Sequence, residues 1–309
     1  MSAVLVTGGG GFIGSNLVRA LLERGDAVRI LDNFSTGNRT NLADVADDVE
    51  VVEGDLRSYE RVHAAVRGVE VVFHQGALPS VPRSVQDPLT TTAVNVEGTL
   101  NVLLAARDEG VRRVVNASSS SVYGNGGSLP RTEAQLPEPI SPYAVAKLAA
   151  ESFCSSFSRV YGMEIVSLRY FNVFGPRQDP TSQYAAVVPR FVSAVAAGEP
   201  VRIHGDGEQS RDFTFVANVV RANLLAADAA GVQGAVLNVA TGGSQTVNAL
   251  AETVGRLLER PVAKEYEHER EADVRHSWAD VGEARRLLGY EPLVSFEEGL
   301  RRTIESMLG

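Results

Sequence analysis

Four consecutive glycines, Gly8 to Gly11, with Gly14 three residues further on, directly follow the apolar run Ala3-Val4-Leu5-Val6-Thr7. A run of β-branched and aliphatic residues is strand material, and it has to stop where glycine removes the side chains that pack a pleated surface. Ile13, Leu17 and Leu21 then recur at i, i+4 and i+8, and Gly25 stands where a helix C-cap belongs. The first 25 residues therefore read as strand, tight glycine turn and helix.

The alternation continues. Short runs rich in Val, Ile and Leu at 28–32, 49–55, 69–74, 113–118 and 165–170 read as further strands, and 92–109 and 143–160 read as helices. Strands that are apolar throughout, separated by helical stretches, predict a parallel sheet covered on both faces. This is the α/β, doubly wound, Rossmann-type class, whose ligands sit at the carboxyl ends of the strands. After Gly175 the rhythm breaks at Pro176, Pro180, Pro189, Pro200 and Gly205-Asp206-Gly207, and two amphipathic helices follow at 248–259 and 296–308. We expect residues 1–175 to form the nucleotide-binding domain with the catalytic groups. Residues 176–309 are expected to form a smaller substrate-binding portion that returns a strand or two to the main sheet.

The glycines satisfy two spacings, G-x-x-G-x-x-G (Gly8, Gly11, Gly14) and G-x-G-x-x-G (Gly9, Gly11, Gly14). Without Cβ atoms the backbone can approach a pyrophosphate, whose charge is favoured at the helix N-terminus. Eighteen residues beyond Gly14, Asp32 ends the next strand. A carboxylate there accepts hydrogen bonds from ribose hydroxyls and repels a 2′-phosphate, so the cofactor is expected to be NAD and not NADP. Arg39, seven residues on, is the one cation that could favour a phosphate.

Bulk properties exclude other classes. A formal charge of -9 argues against a nucleic-acid or membrane-surface partner, both of which select basic faces. The single cysteine, Cys154, can form neither an internal disulfide nor a cysteine-based zinc site and reads as a packing residue. The five histidines lack metal-ligand spacing. The chain opens without the basic and apolar regions of a signal peptide and has no run of about 18 apolar residues, so a cytoplasmic protein is expected.

Tyr143 and Lys147 stand at i and i+4 on the helix that begins after Ser141-Pro142, one turn apart on one face. A free phenol, with a pKa of about 10, is too weakly acidic to serve as a base at neutral pH. A neighbouring ammonium and an oxidised nicotinamide would both favour the phenolate, which predicts a lowered value for Tyr143. Ser118 to Ser121 end a predicted strand 22 residues before Tyr143, where their hydroxyls could meet a sugar oxygen as it becomes a carbonyl. Two of the four could equally cap the strand end.

These motifs closely resemble the extended short-chain dehydrogenase/reductases, and within them the UDP-galactose/UDP-N-acetylglucosamine 4-epimerases. The resemblance spans the chain: T-G-G-x-G-F-I-G, Leu31-Asp32-Asn33, Gly54-Asp55-Leu56, His74-Gln75-Gly76-Ala77, Ser119-Ser120-Ser121-Val122-Tyr123-Gly124 and Ser141-Pro142-Tyr143 with Lys147. It continues through Arg169-Tyr170-Phe171-Asn172-Val173-Phe174-Gly175, Gly205-Asp206-Gly207, Ser210-Arg211-Asp212-Phe213 and Asp273-Val274-Arg275-His276-Ser277.

The resemblance implies roles by position. Gly8, Gly11, Phe12 and Ile13 would hold the pyrophosphate of NAD, Asp32 and Asn33 the adenosine ribose, and Asp55 and Leu56 the adenine. Ser35, Gly37 and Phe171 would complete the cofactor site, Gly76, Ala77 and Leu78 would flank the nicotinamide, and Lys147 would bind its ribose. Tyr143 and Ser119 would face the sugar O4. Asn172 would meet the diphosphate-sugar, and Arg211, Arg270 and Arg275, near Asp273, would neutralise phosphate, although a surface ion pair is an alternative for Arg211 and Arg275. Ser80, Ser120, Ser121, Ala186, Val187, Ile203 and Ser277 would complete the UDP-sugar site.

The implied reaction is reversible C4 epimerisation. Tyr143 takes the proton of the C4 hydroxyl as hydride leaves C4, and the 4-keto sugar turns over on its UDP tether and takes the hydride back on its other face. Sugar-nucleotide dehydratases of this kind place an acid pair where this chain has Ser120 and Ser121, which disfavours water expulsion. Relatives acting on UDP-glucuronate, epimerases or decarboxylases, tend to carry threonine at the position of Asn172; this favours a neutral sugar and leaves a uronate as the alternative. Ser277 occupies a gate position that is a tyrosine in enzymes restricted to sugars without an acetamido group, so UDP-GlcNAc/UDP-GalNAc and UDP-Glc/UDP-Gal are both expected as substrates. Pro79 departs from the glycine or lysine expected there. A non-catalytic NAD sensor, the reading from another class, would usually lack the Tyr-Lys pair. The two helices at 92–109 and 143–160 carry apolar residues beyond one stripe, and the resemblance implies their pairing in a homodimer.

Overall fold

The computed structural model describes residues 2–180, 186–269 and 274–309. Strand β1 (Ala3–Thr7) leads through the glycine turn into α1 (Phe12–Glu23), followed by β2 (Ala27–Asp32), β3 (Val49–Glu53), α2 (Tyr59–Val66) and β4 (Val71–His74). Two short helices, α3 (Val81–Gln86) and α4 (Pro88–Thr92), lead by a π-helical turn into α5 (Gly98–Asp108), and β5 (Arg113–Ser119), α6 (Pro142–Tyr161) and β6 (Glu164–Tyr170) follow.

The second half is finer-grained. It holds β7 (Val173–Phe174), α7 (Val187–Ala197), β8 (Val201–His204), β9 (Ser210–Arg211), β10 (Thr214–Phe215), α8 (Val216–Asp228) and β11 (Val236–Val239). It ends with β12 (Gln245–Thr246), α9 (Val247–Leu258), β13 (Lys264–Glu267), β14 (His276–Ser277), α10 (Gly282–Leu288) and α11 (Phe296–Leu308).

Seven strands form one parallel sheet in the order β11-β6-β5-β4-β1-β2-β3. Side chains alternate between its two faces, as the pleat requires. Along β1, Val4 and Val6 join the larger hydrophobic cluster with α1 and α8, while Leu5 joins the other with α2, α5 and α6. Both faces are covered, which is why the strands read as unbroken apolar runs. Strand order reverses between β1 and β4, and the crevice above that switch point is where a ligand of such a sheet belongs. The seventh strand, β11, comes from beyond residue 175 and pairs in parallel with β6, Val239 opposite Tyr170.

Helix α6 follows from its signals. Ser141 caps it by accepting a hydrogen bond from Ala144 N at 3.2 Å, Pro142 opens it, and Gly162 at φ +70° ends it in the left-handed conformation. Among the described residues no helix is long and apolar enough to cross a membrane.

Candidate active site

A cavity of about 590 Å³ lies over the carboxyl ends of β1, β2, β4 and β5, within the range of roughly 300–1,000 Å³ usual for ligand sites. Its floor is the glycine turn. Gly8 holds φ +69°, and a Cβ on it would stand 2.7 Å from Gly76 Cα, so the turn and the loop after β4 touch backbone to backbone. A Cβ on Gly14 would stand 2.1 Å from the Gly8 carbonyl oxygen. Gly11 precedes α1 with no side-chain cap, leaving the first-turn amides of that helix to an anion. This is a cradle that a side chain would fill.

At one end of the cavity Asp32 accepts hydrogen bonds from Gly10 N and Phe34 N, each at 2.8 Å. Burial pushes its carboxyl above the ordinary aspartate value, against the pull of those amides. Asn33 donates to Asp55 at 2.9 Å, and the Arg57 guanidinium brings Asp55 down to about 2. Arg39, the cation that could serve a 2′-phosphate, donates to Glu53 at 2.5 Å and lies over the Phe34 ring. The carboxylate-rich rim suits the ribose of NAD.

At the other end are the loop from Gln75 to Ser80, Tyr143 and Lys147. Lys147 is buried, its Nζ donates to the Ala117 carbonyl at 2.8 Å, and burial lowers its ammonium to about 8. Ser119 accepts from the Ser121 amide at 3.2 Å and hydroxyl at 2.9 Å. With both hydrogen bonds accepted, its own proton remains to donate, and the Ser119 hydroxyl favours the Tyr143 phenolate. Burial outweighs it and raises the phenol above its ordinary value. The lowering expected in the sequence involved the lysine together with an oxidised nicotinamide; in the chain by itself desolvation is the larger influence on the phenol.

Of the residues singled out in the sequence, Gly8, Gly11, Phe12, Ile13, Asp32, Asn33, Ser35, Gly37, Asp55, Leu56, Gly76, Ala77, Leu78, Ser80, Tyr143, Lys147 and Ala186 line this one cavity. Ser80 holds a strained φ of +93° while capping α3, an outlier of the kind that marks ligand loops. Asn172 stands at the end of β6 with φ +32° and a buried amide Nδ2 that has no partner, an orphan suited to a ligand oxygen. Phe171 is fully buried in the core. Ser120 and Ser121 form the 3₁₀ turn after β5.

The remaining substrate candidates among the described residues do not line that cavity. Val187 opens α7, and Ile203 on β8 is packed in the core. Arg211 spends one nitrogen on the carbonyls of Ser210 and Arg275, and Arg275 makes an exposed ion pair with Asp206 at 2.6 Å. Ser277 is buried on β14 beside Arg211 of β9. Arg270 and Asp273 lie outside the described residues.

Ser118, of the serine cluster, also lines it, and the structure adds lining residues that the sequence did not single out, among them Thr36, Arg83, Gln178 and Asp179. Gln75 and Tyr170 line it too and bond to each other at 3.1 Å and to Asn223 at 3.0 and 3.1 Å. Both stand inside motifs quoted above. The signal available was a polar side chain at a strand's carboxyl end.

Comparison with known proteins agrees with this geometry. The family model described as "NAD dependent epimerase/dehydratase family" matches residues 4–240. The UDP-glucose 4-epimerase of Mycolicibacterium smegmatis is 40% identical over 310 residues, covering 97% of each chain. The UDP-N-acetylglucosamine 4-epimerase from Methanobrevibacter ruminantium, solved with UDP-N-acetylmuramic acid, is 40% identical with a TM-score of 0.94, covering 99% of this chain and 98% of that one. The UDP-glucose 4-epimerase of Thermus thermophilus, solved with NAD, is 38% identical with a TM-score of 0.92, covering 99% of both chains. The chain belongs to the NAD dependent epimerase/dehydratase family and is an NAD-dependent enzyme.

Proposed function

We propose that the protein interconverts UDP-hexoses by inverting C4, and that it accepts UDP-GlcNAc/UDP-GalNAc as well as UDP-Glc/UDP-Gal. One observation carries this reading. A phenol, Tyr143, shares a cavity with the glycine cradle and has a serine hydroxyl, Ser119, that favours its ionised form.

The chain's own groups divide the work. The amides of Gly11 to Ile13 and the start of α1 would hold the NAD pyrophosphate, Asp32 the adenosine ribose, and Lys147 the nicotinamide ribose. Bound NAD supplies the acceptance and return of a hydride at C4. Tyr143 takes the C4 hydroxyl proton and gives it back, and Ser119 donates to the same oxygen, keeping it aligned. Lys147, one turn along α6, and the Ser119 hydroxyl are the chain's own groups beside the phenol, and the hydroxyl favours its ionised form. Asn172 offers its unpartnered amide to the diphosphate or sugar. A small residue, Ser277, at the gate position that the family resemblance implies supports acceptance of an acetamido group.

Exposed Val85, Leu89, Val145 and Val160 on α3, α4 and α6 support a homodimer formed through that face, which sedimentation can measure. The experiment that tests the activity incubates the purified protein separately with UDP-glucose, UDP-GlcNAc and UDP-glucuronate and separates the products by chromatography. The C4 epimers of the first two are expected. Conversion of UDP-glucuronate alone would replace this reading with a uronate enzyme.

A further inference from the structure

Helix α6 carries a third polar residue on the face that presents Tyr143 and Lys147. Glu151 follows Lys147 by one further turn and is only 4% exposed. The proposed chemistry gives it no task, and a carboxylate is costly to bury unless it is paired and fully hydrogen-bonded. It is both. Arg169 on β6, equally buried, donates to its two oxygens at 3.0 and 2.5 Å. The Arg169 guanidinium also lies 4.7 Å from the centre of the Tyr123 ring, and Tyr123 donates to Asn238 of β11 at 2.7 Å. The pair is thus tied to β6 and, through Tyr123 of the turn after β5, to β11.

Glu151 has one further partner. The hydroxyl of Ser118 donates to Glu151 Oε2 at 2.8 Å. Ser118 points to the α6 face of the sheet and is the neighbour of Ser119 in the chain. Three consecutive residues of β5 therefore meet three residues of α6: the Ala117 carbonyl takes Lys147, the Ser118 hydroxyl takes Glu151, and the Ser119 hydroxyl acts on Tyr143. A slip of the strand along the helix would break all three together.

We propose that Glu151, fixed by Arg169, is a positioning residue that holds β5 in register against α6 and so keeps Ser119 on the Tyr143 phenol. The inference rests on the function proposed above. Its mechanism is geometric, since small misplacements around a reacting group cost rate far more than binding.

The test uses Ser118→Ala, which removes the Glu151 contact with little change in volume, and the paired variant Glu151→Met with Arg169→Met, which removes both charges and keeps the interior apolar. In the NAD-bound enzyme, kcat for UDP-glucose is expected to fall by about tenfold to a hundredfold in each. KM should stay within about twofold and NAD content should not change. The acid limb of the kcat–pH profile should move to higher pH, because the phenol loses the hydroxyl that favours its ionised form. A second readout does not depend on turnover: ultraviolet titration of Tyr143, taken as the difference from Tyr143→Phe, should show its pKa raised in both variants. An inactive wild-type enzyme would refute the proposed function and leave this titration to judge the positioning. An unchanged Tyr143 titration in the folded Ser118→Ala protein, or a loss of thermal stability alone, overturns the inference. Should Ser118→Ala not fold, the paired variant decides by the same measurements.

Discussion

Thr7 Oγ1 and His74 Nδ1 lie 2.8 Å apart, joining the ends of β1 and β4 at the point where the strand order reverses. The bond belongs to a relay. Gly76 N donates to Thr7 at 3.0 Å, His74 Nε2 meets Thr99 Oγ1 at 2.9 Å, and Thr99 donates to the Asn95 carbonyl at 2.8 Å. Since the Thr99 proton is committed, Nε2 must carry the ring hydrogen, and Nδ1 accepts from Thr7. Asn95 then clasps Leu78 with both ends of its amide, at 2.7 and 3.0 Å. The cavity loop from Gly76 to Leu78 is held at both ends.

Thr99→Val removes the acceptor for the buried His74 N–H while keeping the shape of the side chain. An unsatisfied buried donor costs about 1–3 kcal/mol. Urea unfolding should show that loss, and NAD should bind more weakly because the loop from Gly76 to Leu78, proposed to flank the nicotinamide, loosens. An unchanged unfolding midpoint would mean that the ring finds another partner.

The same histidine sets a pH dependence. Burial, and then the charge of Lys147, depress His74 to about 3. Because the folded value lies below the unfolded one, the unfolded chain binds the extra proton between pH 6.5 and 3. The stabilising contribution is complete above about 6.5 and is lost on acidification, by up to about 1.4 kcal/mol per pH unit. Unfolding free energies of the wild type and His74→Gln, compared at pH 7.5 and 5, should differ by less at the lower pH. Parallel pH curves would contradict it.

How much of this was legible in the sequence follows from the range of the signals. The glycine turn, the flanking strand and α6 with its Ser141-Pro142 start were readable because each is specified within a few residues. The crossing of β8 with β13, which pairs Ile203 with Tyr266, was not, nor were the two-residue strands β9, β12 and β14, which are too short to show a period. The same limit applied to the site. Asp32 and Tyr143 announced themselves by spacing, whereas the meeting of Gln75, Tyr170 and Asn223 depends on residues 95 and 148 positions apart. Spacing placed Lys147 beside Tyr143 but could not show that its ammonium would be spent on the Ala117 carbonyl.

Two glycines of the cradle should separate in severity. A methyl on Gly14 would meet the Gly8 carbonyl oxygen at 2.1 Å, backbone that cannot yield, whereas one on Gly11 would meet the same atom at 3.1 Å. Gly14→Ala should abolish NAD binding and destabilise the fold by several kcal/mol, on the scale of roughly 1–3 or more for overpacking. Gly11→Ala should fold and bind NAD more weakly. Calorimetric titration of both variants with NAD checks the order, and equal affinities would refute it.

Tyr143→Phe removes the hydroxyl and nothing else. Loss of a positioned acid–base group costs about 10²–10⁴ in rate, so kcat should fall by that factor while copurifying NAD is retained. Turnover at the wild-type level would assign the proton transfer to another group.

Lys147 should show a conflict between stability and activity. Its ammonium is buried and lowered to about 8, against 10.5 for an exposed lysine. Between those values the unfolded chain binds the proton and the folded chain does not, so folding stability rises as pH climbs from 8 to 10.5. At neutral pH the protein therefore carries the cost of a buried cation, about 3 kcal/mol at most from the shift. Lys147→Met removes that cost, offset in part by the Ala117 carbonyl left without its donor. Relative to the wild type, the variant should lose its advantage in unfolding free energy as the pH is raised from 8 to 10, measured without added nucleotide. The same substitution should weaken NAD binding and lower kcat by at least tenfold, because the cation assigned to the nicotinamide ribose is gone. A wild type whose stability relative to Lys147→Met stays flat between pH 8 and 10 would mean that the ammonium is not held at a cost. The conflict is expected at a site where a charge is kept dry for chemistry and not for the fold.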